Sequence, residues 1–135
     1  MSGALDQAVT PIDIAGDPVA HARAIAPLLR DEAPKIEAKG QLTQPVLDAL
    51  HARGLYRLLL PRRLNGYGAG VETFVACMEA LAASDASTAW CVGQASGCSM
   101  AAGYVDPAIA REIWGDDPRG VLAWGFQQEG RAKVV

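Results

Sequence analysis

Asp85-Ala86-Ser87-Thr88-Ala89-Trp90-Cys91-Val92-Gly93-Gln94-Ala95-Ser96-Gly97-Cys98-Ser99-Met100-Ala101-Ala102-Gly103-Tyr104-Val105-Asp106 is the stretch on which the reading of this chain turns. Between its two terminal aspartates no residue is charged. It is long enough for a helix of several turns and lacks the polar stripe of a surface helix, so burial on most sides is expected. Ala89, Gly93, Ser96 and Gly97 recur at close spacing, which lets a neighbouring backbone or a flat ligand approach. The stretch reads either as a central packing helix or as one whose face also walls a substrate or cofactor pocket. Its length approaches that of a membrane span. Its Ser, Thr and Gln side chains, its glycines and its few large aliphatics argue against one.

The totals are those of an ordinary globular domain. At 135 residues the chain can bury a core as one domain. Half of it is hydrophobic and 20% is charged. A net charge of −3 gives no basic footprint for nucleic acid and no cationic face for a membrane surface. The first 17 residues lack the basic start and apolar block of a signal peptide, so a cytoplasmic location is expected. Cys77, Cys91 and Cys98 are odd in number and form no C-x-x-C pair. Neither a disulfide framework nor a metal site is expected, and the thiols read as small hydrophobes. No His or cation stands beside them in the sequence to activate a thiolate.

Working outward from the central stretch, residues 1–17 show no sustained period and form a lead-in. Asp17-Pro18 reads as an N-cap and a first helical position. Ala22, Ile25, Ala26, Leu29, Ala33 and Ile36 then follow a helical stripe up to Gly40, with Pro27 and Pro34 expected to kink or break it. A second helix starts at Thr43, buries Val46, Leu47 and Leu50, and ends at Gly54. His51, near its C-terminus, is placed where the helix dipole mildly favours a protonated imidazole. Both His51 and His21 read as solvated or capping residues, remote from any acid or nucleophile motif. Leu55–Leu60, closed by Pro61, reads as a strand or an extended buried linker. The glycine-rich Leu64–Gly70 matches neither phosphate-binding spacing, so a tight turn is expected.

A third helix carries Val71, Phe74, Val75, Met78, Leu81 and Ala82 on one face and Glu72 and Glu79 on the other. Ser84-Asp85 caps the central helix. Asp106-Pro107 opens a short fifth helix with Ile109, Ile113 and Trp114, closed by Gly115. Beyond Asp116-Asp117-Pro118, Val121–Phe126 looks like a strand, Gln127–Gly130 like a turn and Lys133–Val135 like the start of another extended piece. One or two strands cannot form a sheet alone, because their backbone groups need partners. The fold class expected is therefore all-α: an orthogonal domain of about five helices over residues 18–118, followed at 119–135 by the first strands of a truncated β-domain.

Three local strings, in this order and spacing, resemble one superfamily. Pro61 with Leu64-Asn65-Gly66-Tyr67-Gly68 is similar to the proline- and glycine-rich connection of acyl-CoA dehydrogenases. Leu81-Ala82-Ala83-Ser84-Asp85-Ala86-Ser87-Thr88-Ala89-Trp90 resembles the start of their central N-terminal helix. Glu112-Ile113-Trp114-Gly115-Asp116-Asp117-Pro118 resembles the loop into their β-domain. Ser87-Thr88-Ala89-Trp90 and Trp114-Gly115-Asp116-Asp117-Pro118 are more similar to the flavin-dependent monooxygenase branch. Phe126-Gln127-Gln128 stands where dehydrogenases proper carry Thr-Glu-Pro.

The resemblance implies a longer protein of three parts: this helical domain, a middle β-barrel domain and a C-terminal four-helix bundle, assembled as a dimer or tetramer. It implies a flavin, FAD or FMN, with a flavin reductase as partner and an aromatic or similar small-molecule substrate kept from water. The catalytic residues would lie outside this chain. Trp90, Gln94 and Gly97 would line the substrate side, and Trp124, Phe126 and Gln127 the edge of the flavin. As plainer alternatives, Trp90 and Trp124 are core aromatics and Gln94 bonds a neighbouring loop. The competing functions are an acyl-CoA dehydrogenase and a non-enzymatic helical interaction module.

Overall fold

The structure, a computed structural model, describes residues 14–124 together with 130, 131 and 133. Among these the regular elements are helical: α1 Pro18–Ala24, α2 Ala26–Lys39, α3 Gln44–Ala52, α4 Val71–Ala82, α5 Ala86–Ser99 and α6 Pro107–Ala110. Short 3-10 turns lie at Leu55–Arg57, Arg62–Leu64 and Met100–Gly103, and a π-helical turn at Arg111–Gly115 follows α6 directly. No strand occurs among the described residues, and Val121–Trp124 has no regular secondary structure. Of the strand expected at Val121–Phe126 only residues 125 and 126 lie outside the described residues, as does most of the turn expected at Gln127–Gly130. No described helix is long and apolar enough to cross a membrane.

The caps act as their side-chain chemistry dictates. Asp17 accepts from the Val19 amide at 3.0 Å, Asp85 from Thr88 at 2.7 Å and Asp106 from Ala108 at 2.8 Å. Gly40 and Gly54 follow α2 and α3 with φ of 65° and 63°, the left-handed region a glycine enters without strain. The first helix does break, but at the buried Ile25 and not at a proline. Pro27 falls in the opening turn of α2, where its missing N–H has no helical partner to lose. Pro34 lies inside α2 on its exposed side, and the helix runs on through it.

The apolar run Leu55–Leu60 is not a strand. It opens in a 3-10 turn, with the Arg57 amide on the Gly54 carbonyl at 2.8 Å. Its carbonyls are satisfied by the glycine-rich loop folding back: Tyr67 donates to Arg57, Gly68 to Leu60 and Ala69 to Leu58, at 3.0, 2.9 and 2.8 Å. The run is thus a buried spine, a 3-10 turn followed by irregular chain, whose partner is a loop. Gly66 is the point of closest approach, since a Cβ there would stand 2.0 Å from the Leu60 carbonyl oxygen. Gly66→Ala is therefore expected to destabilise the fold by about 3 kcal/mol, read as a lowered urea midpoint. An unchanged midpoint would show that the loop does not need this contact.

Two apolar clusters hold the helices. The larger joins α1 to α5 through residues such as Leu29, Val46, Leu50, Leu55, Leu81 and Val92. The smaller gathers Leu60, Leu64, Ala102, Ala110 and Trp114. In α4 the inward stripe is Phe74, Cys77, Met78 and Leu81, rotated from the expected face. Val71, Val75 and Ala82 are exposed. The central stretch also departs from expectation. As α5 it buries Thr88, Ala89, Val92, Ala95, Ser96 and Ser99 on one side only. Trp90 and Gly97 on its other side, and Met100 and Tyr104 beyond its end, are exposed. An uncharged helix thus turns half its surface outward. His21, expected to be solvated or capping, is part-buried with Nδ1 2.9 Å from the Tyr67 hydroxyl, which donates to the Arg53 carbonyl.

Candidate functional site

A groove of about 660 Å³ opens between α3, α5 and the segment that follows the π-helical turn. Leu47 and His51, four residues apart on α3, form one side, and Tyr56 lies beside them. Trp90, Cys91 and Gln94 of α5 form the other side. Arg119, Val121, Ala123 and Trp124 complete its lining. That last segment is fastened at both ends. Arg119 reaches α3 with both terminal nitrogens 3.0 Å from one Asp48 oxygen, and the Trp124 indole N–H donates to the Gln94 side-chain oxygen.

The polar groups in this groove are neutral or paired. His51 packs against Tyr56 with ring centroids 4.8 Å apart and planes at 45°. Burial, aided by the nearby Arg119 charge, pulls the His51 imidazole from 6.5 down to about 4. The imidazole is therefore neutral at physiological pH, against the sequence expectation of a dipole-favoured cation. Burial pushes the Tyr56 phenol up to about 12, so it stays protonated. The Asp48 carboxyl is held below its ordinary value by hydrogen bonds from Gln44 and Arg119. Burial and the Asp85 charge raise the Cys91 thiol, which keeps it from being a ready thiolate. Flat aromatic walls with neutral hydrogen-bonding groups suit an uncharged ring. Among the described residues no three His, Cys, Asp or Glu side chains come together as a metal site.

The neutral His51 has a consequence for stability. The folded chain protonates it only near pH 4, whereas an ordinary imidazole does so near 6.5, so between these the unfolded state binds more protons. Stability should fall as pH drops through this window, by about 2 kcal/mol at pH 5 from this group. Urea titrations of the wild type and His51→Phe at pH 7 and pH 5 check it. The variant should show the shallower pH dependence, and equal slopes would refute the assignment.

Of the residues predicted from sequence, Trp90, Gln94 and Trp124 meet in this one groove. Both tryptophans are exposed, so neither is the core aromatic of the plainer alternative. Gln94 does bond a neighbouring segment, through Trp124. Gly97 is exposed outside the groove's lining, with open space where a Cβ would point. Phe126 and Gln127 lie outside the described residues. His51, Tyr56 and Arg119 were missed as groove residues. Only the shared α3 face of Leu47 and His51 hinted at one of them.

A second hollow of about 550 Å³ lies by the glycine-rich loop, between Ile14–Pro18, Arg62 and Gly66–Gly70. The amides of Tyr67, Gly68 and Ala69 there are already bonded to the Leu55–Leu60 spine, which agrees with a turn and not a phosphate cradle.

Comparison with known proteins places the fold. Residues 20–109 match the model of the acyl-CoA dehydrogenase N-terminal domain. Among curated relatives, indole-3-acetate monooxygenase of Pseudomonas putida is 28% identical over 101 residues, covering 75% of this chain and 26% of that protein. The flavin-dependent monooxygenase oxygenase subunit HsaA of Rhodococcus jostii is 24% identical, covering 83% of this chain and 29% of its own length. Dibenzothiophene monooxygenase of Rhodococcus erythropolis is 38% identical over 82 residues, covering 60% and 20%. The crystal structure of 3-HSA hydroxylase from Rhodococcus sp. RHA1 superposes with a TM-score of 0.73 at 22% identity, over 79% of this chain and 28% of that one. The chain spans between 20% and 29% of the length of these curated relatives. With helices in that arrangement and two thirds of its length matched, the chain belongs to the acyl-CoA dehydrogenase N-terminal domain family.

Proposed function

We propose that the chain is the N-terminal part of a flavin-dependent oxidoreductase, a two-component monooxygenase that uses reduced flavin and oxygen on an aromatic or similar small substrate. The observation that carries this reading is the groove, walled by Trp90, Trp124 and Tyr56 and bordered by a fastened segment. Such a slot fits a flat, uncharged ring. An acyl-CoA carries several phosphate charges, and the one cation among the groove's described lining residues, Arg119, is already paired with Asp48. The curated relatives named above, all monooxygenases, support the same choice.

Bound reduced flavin, FAD or FMN delivered by a reductase, would supply the activation of oxygen. The described residues fit an uncharged ring but offer no cradle for a diphosphate, so this chain's part is to hold the substrate and keep water out. Trp90 and Tyr56 line the groove, and Gln94 fixes the Trp124 indole by accepting its N–H. Catalytic residues are not assigned within the chain. We take residues 18–118 as the helical domain and 119–135 as the entry to a middle β-domain, in a dimeric or tetrameric enzyme.

The test uses the full-length protein with a flavin reductase and a panel of small aromatics. Oxygen-dependent product is expected, with no flavin bleaching by acyl-CoA under anaerobic conditions. Bleaching by an acyl-CoA would turn the assignment to a dehydrogenase. No flavin affinity in the full-length protein would leave a helical interaction module.

A further inference from the structure

We propose that Asn65-Gly66 is a site of spontaneous deamidation that the fold holds shut, so that the side-chain amide is lost only when the glycine-rich loop lifts from the Leu55–Leu60 spine. The inference is independent of the function proposed above.

Asparagine followed by glycine favours this reaction, because no Cβ on the second residue hinders its nitrogen. The Gly66 nitrogen attacks Asn65 Cγ and forms a C–N bond. The Cγ–Nδ2 bond breaks and ammonia leaves. Water then opens the cyclic imide at either carbonyl, giving aspartate or isoaspartate with no change of oxidation state. Asn65 is the one asparagine of the chain, and it is exposed to the water the second step consumes.

The fold opposes the first step in three ways. Asn65 lies in the left-handed region, with φ 60° and ψ 37°, where the Gly66 nitrogen is turned away from Cγ. Ring closure needs a large rotation of that ψ. Gly66 cannot follow such a rotation in place. Its amide donates to the Pro61 carbonyl at 3.2 Å, and a Cβ on it would stand 2.0 Å from the Leu60 carbonyl oxygen. Arg57 also holds the turn, donating to the Leu64 carbonyl at 2.9 Å and the Asn65 carbonyl at 3.1 Å. Reaction therefore waits until these bonds, and those from Tyr67, Gly68 and Ala69 to the spine, have opened together.

The two products differ in what they allow afterwards. Aspartate keeps the backbone length and tolerates the left-handed region as asparagine does. Isoaspartate routes the main chain through Cβ and adds one atom just before Gly66, where the approach to Leu60 leaves no room. The first product reseats the loop, and the second leaves it lifted from the spine.

The test ages the full-length protein in mildly alkaline buffer, native and in denaturing urea. The peptide holding Asn65 is followed by mass spectrometry for a gain of about one dalton. The native rate should lie about a hundredfold below the rate in urea, as expected for a local opening that breaks several backbone bonds. A difference under about fivefold overturns the proposal. Urea added below the unfolding midpoint should raise the native rate several-fold, and a flat rate there also overturns it. That series needs no variant, so it decides the matter even if Arg57→Lys, expected to speed the loss about tenfold, does not fold. Asn65→Gly, which accepts the same φ, should gain no mass and keep the wild-type midpoint. The isolated isoaspartyl protein should unfold at lower urea than Asn65→Asp, and equal midpoints would refute the displaced loop.

Discussion

Arg57→Ala is expected to lower stability by about 4 kcal/mol, because its guanidinium is the buried junction of four backbone segments. Arg57 is 3% exposed. Its Nε donates to the Asn65 carbonyl at 3.1 Å and Nη1 to Pro118 at 3.0 Å. Nη2 donates to Leu64 at 2.9 Å and to Trp114. One side chain thus joins the apolar spine, the glycine-rich loop, the π-helical turn and the segment entering the groove. Burial draws its pKa below the ordinary arginine value, yet a guanidinium keeps its proton at any working pH. Truncation leaves carbonyls without donors in places water reaches poorly. Hydrogen bonds to a charged group contribute about 1.5–3 kcal/mol each, and partial relaxation keeps the total below their sum. Arg57→Lys should recover only a minor part, since an ammonium cannot fan its donors over four directions. Urea unfolding of the three proteins decides it. A loss under 1 kcal/mol for Arg57→Ala would mean the carbonyls find water.

Trp114→Ala is expected to cost a comparable amount, about 4 kcal/mol, by a different route. The indole fills the smaller cluster between Leu60, Leu64, Ala102 and Ala110. Removing it opens a cavity whose walls, a loop and two short helical turns, have few other contacts to hold them. Trp114→Phe should lose about half as much, because most of the volume is kept. The two sites also share an atom, since the Trp114 carbonyl accepts from Arg57. The double variant Arg57→Ala/Trp114→Ala should accordingly lose less than the sum of the singles. Full additivity would show that the corner is not one cooperative unit.

The helices were legible where the signal is local. Asp17, Asp85 and Asp106 each sit before the helix they cap, and each cap bond forms as written in the sequence. The family was legible in three short strings because each marks a boundary between elements. Leu55–Leu60 was not legible, since a six-residue run that is apolar but for Arg57 fits a strand as well as any buried irregular piece, and its partner is a loop eight or more residues on. Arg57 escaped notice inside that run because nothing local distinguishes a buried clamp from a surface charge.

The candidate site divides in the same way. Trp90 and Gln94 could be read from an uncharged helix. His51 could not, because the segment that encloses it is brought over by Arg119 to Asp48 across 71 residues. The outward half of α5 was misjudged for a related reason. Composition reports that a surface is apolar, not whether the same stretch of chain covers it.

The three tryptophans differ in their surroundings, at 2% exposure for Trp114 against 69% for Trp90 and 59% for Trp124. Their ultraviolet emission should therefore separate into a blue-shifted component and a red-shifted pair. Iodide should quench the pair and spare the third. A ligand entering the groove perturbs the pair, whereas loss of the fold perturbs the third. The protein thus carries its own internal reference, by which occupancy and integrity can be followed in one cuvette without a dye.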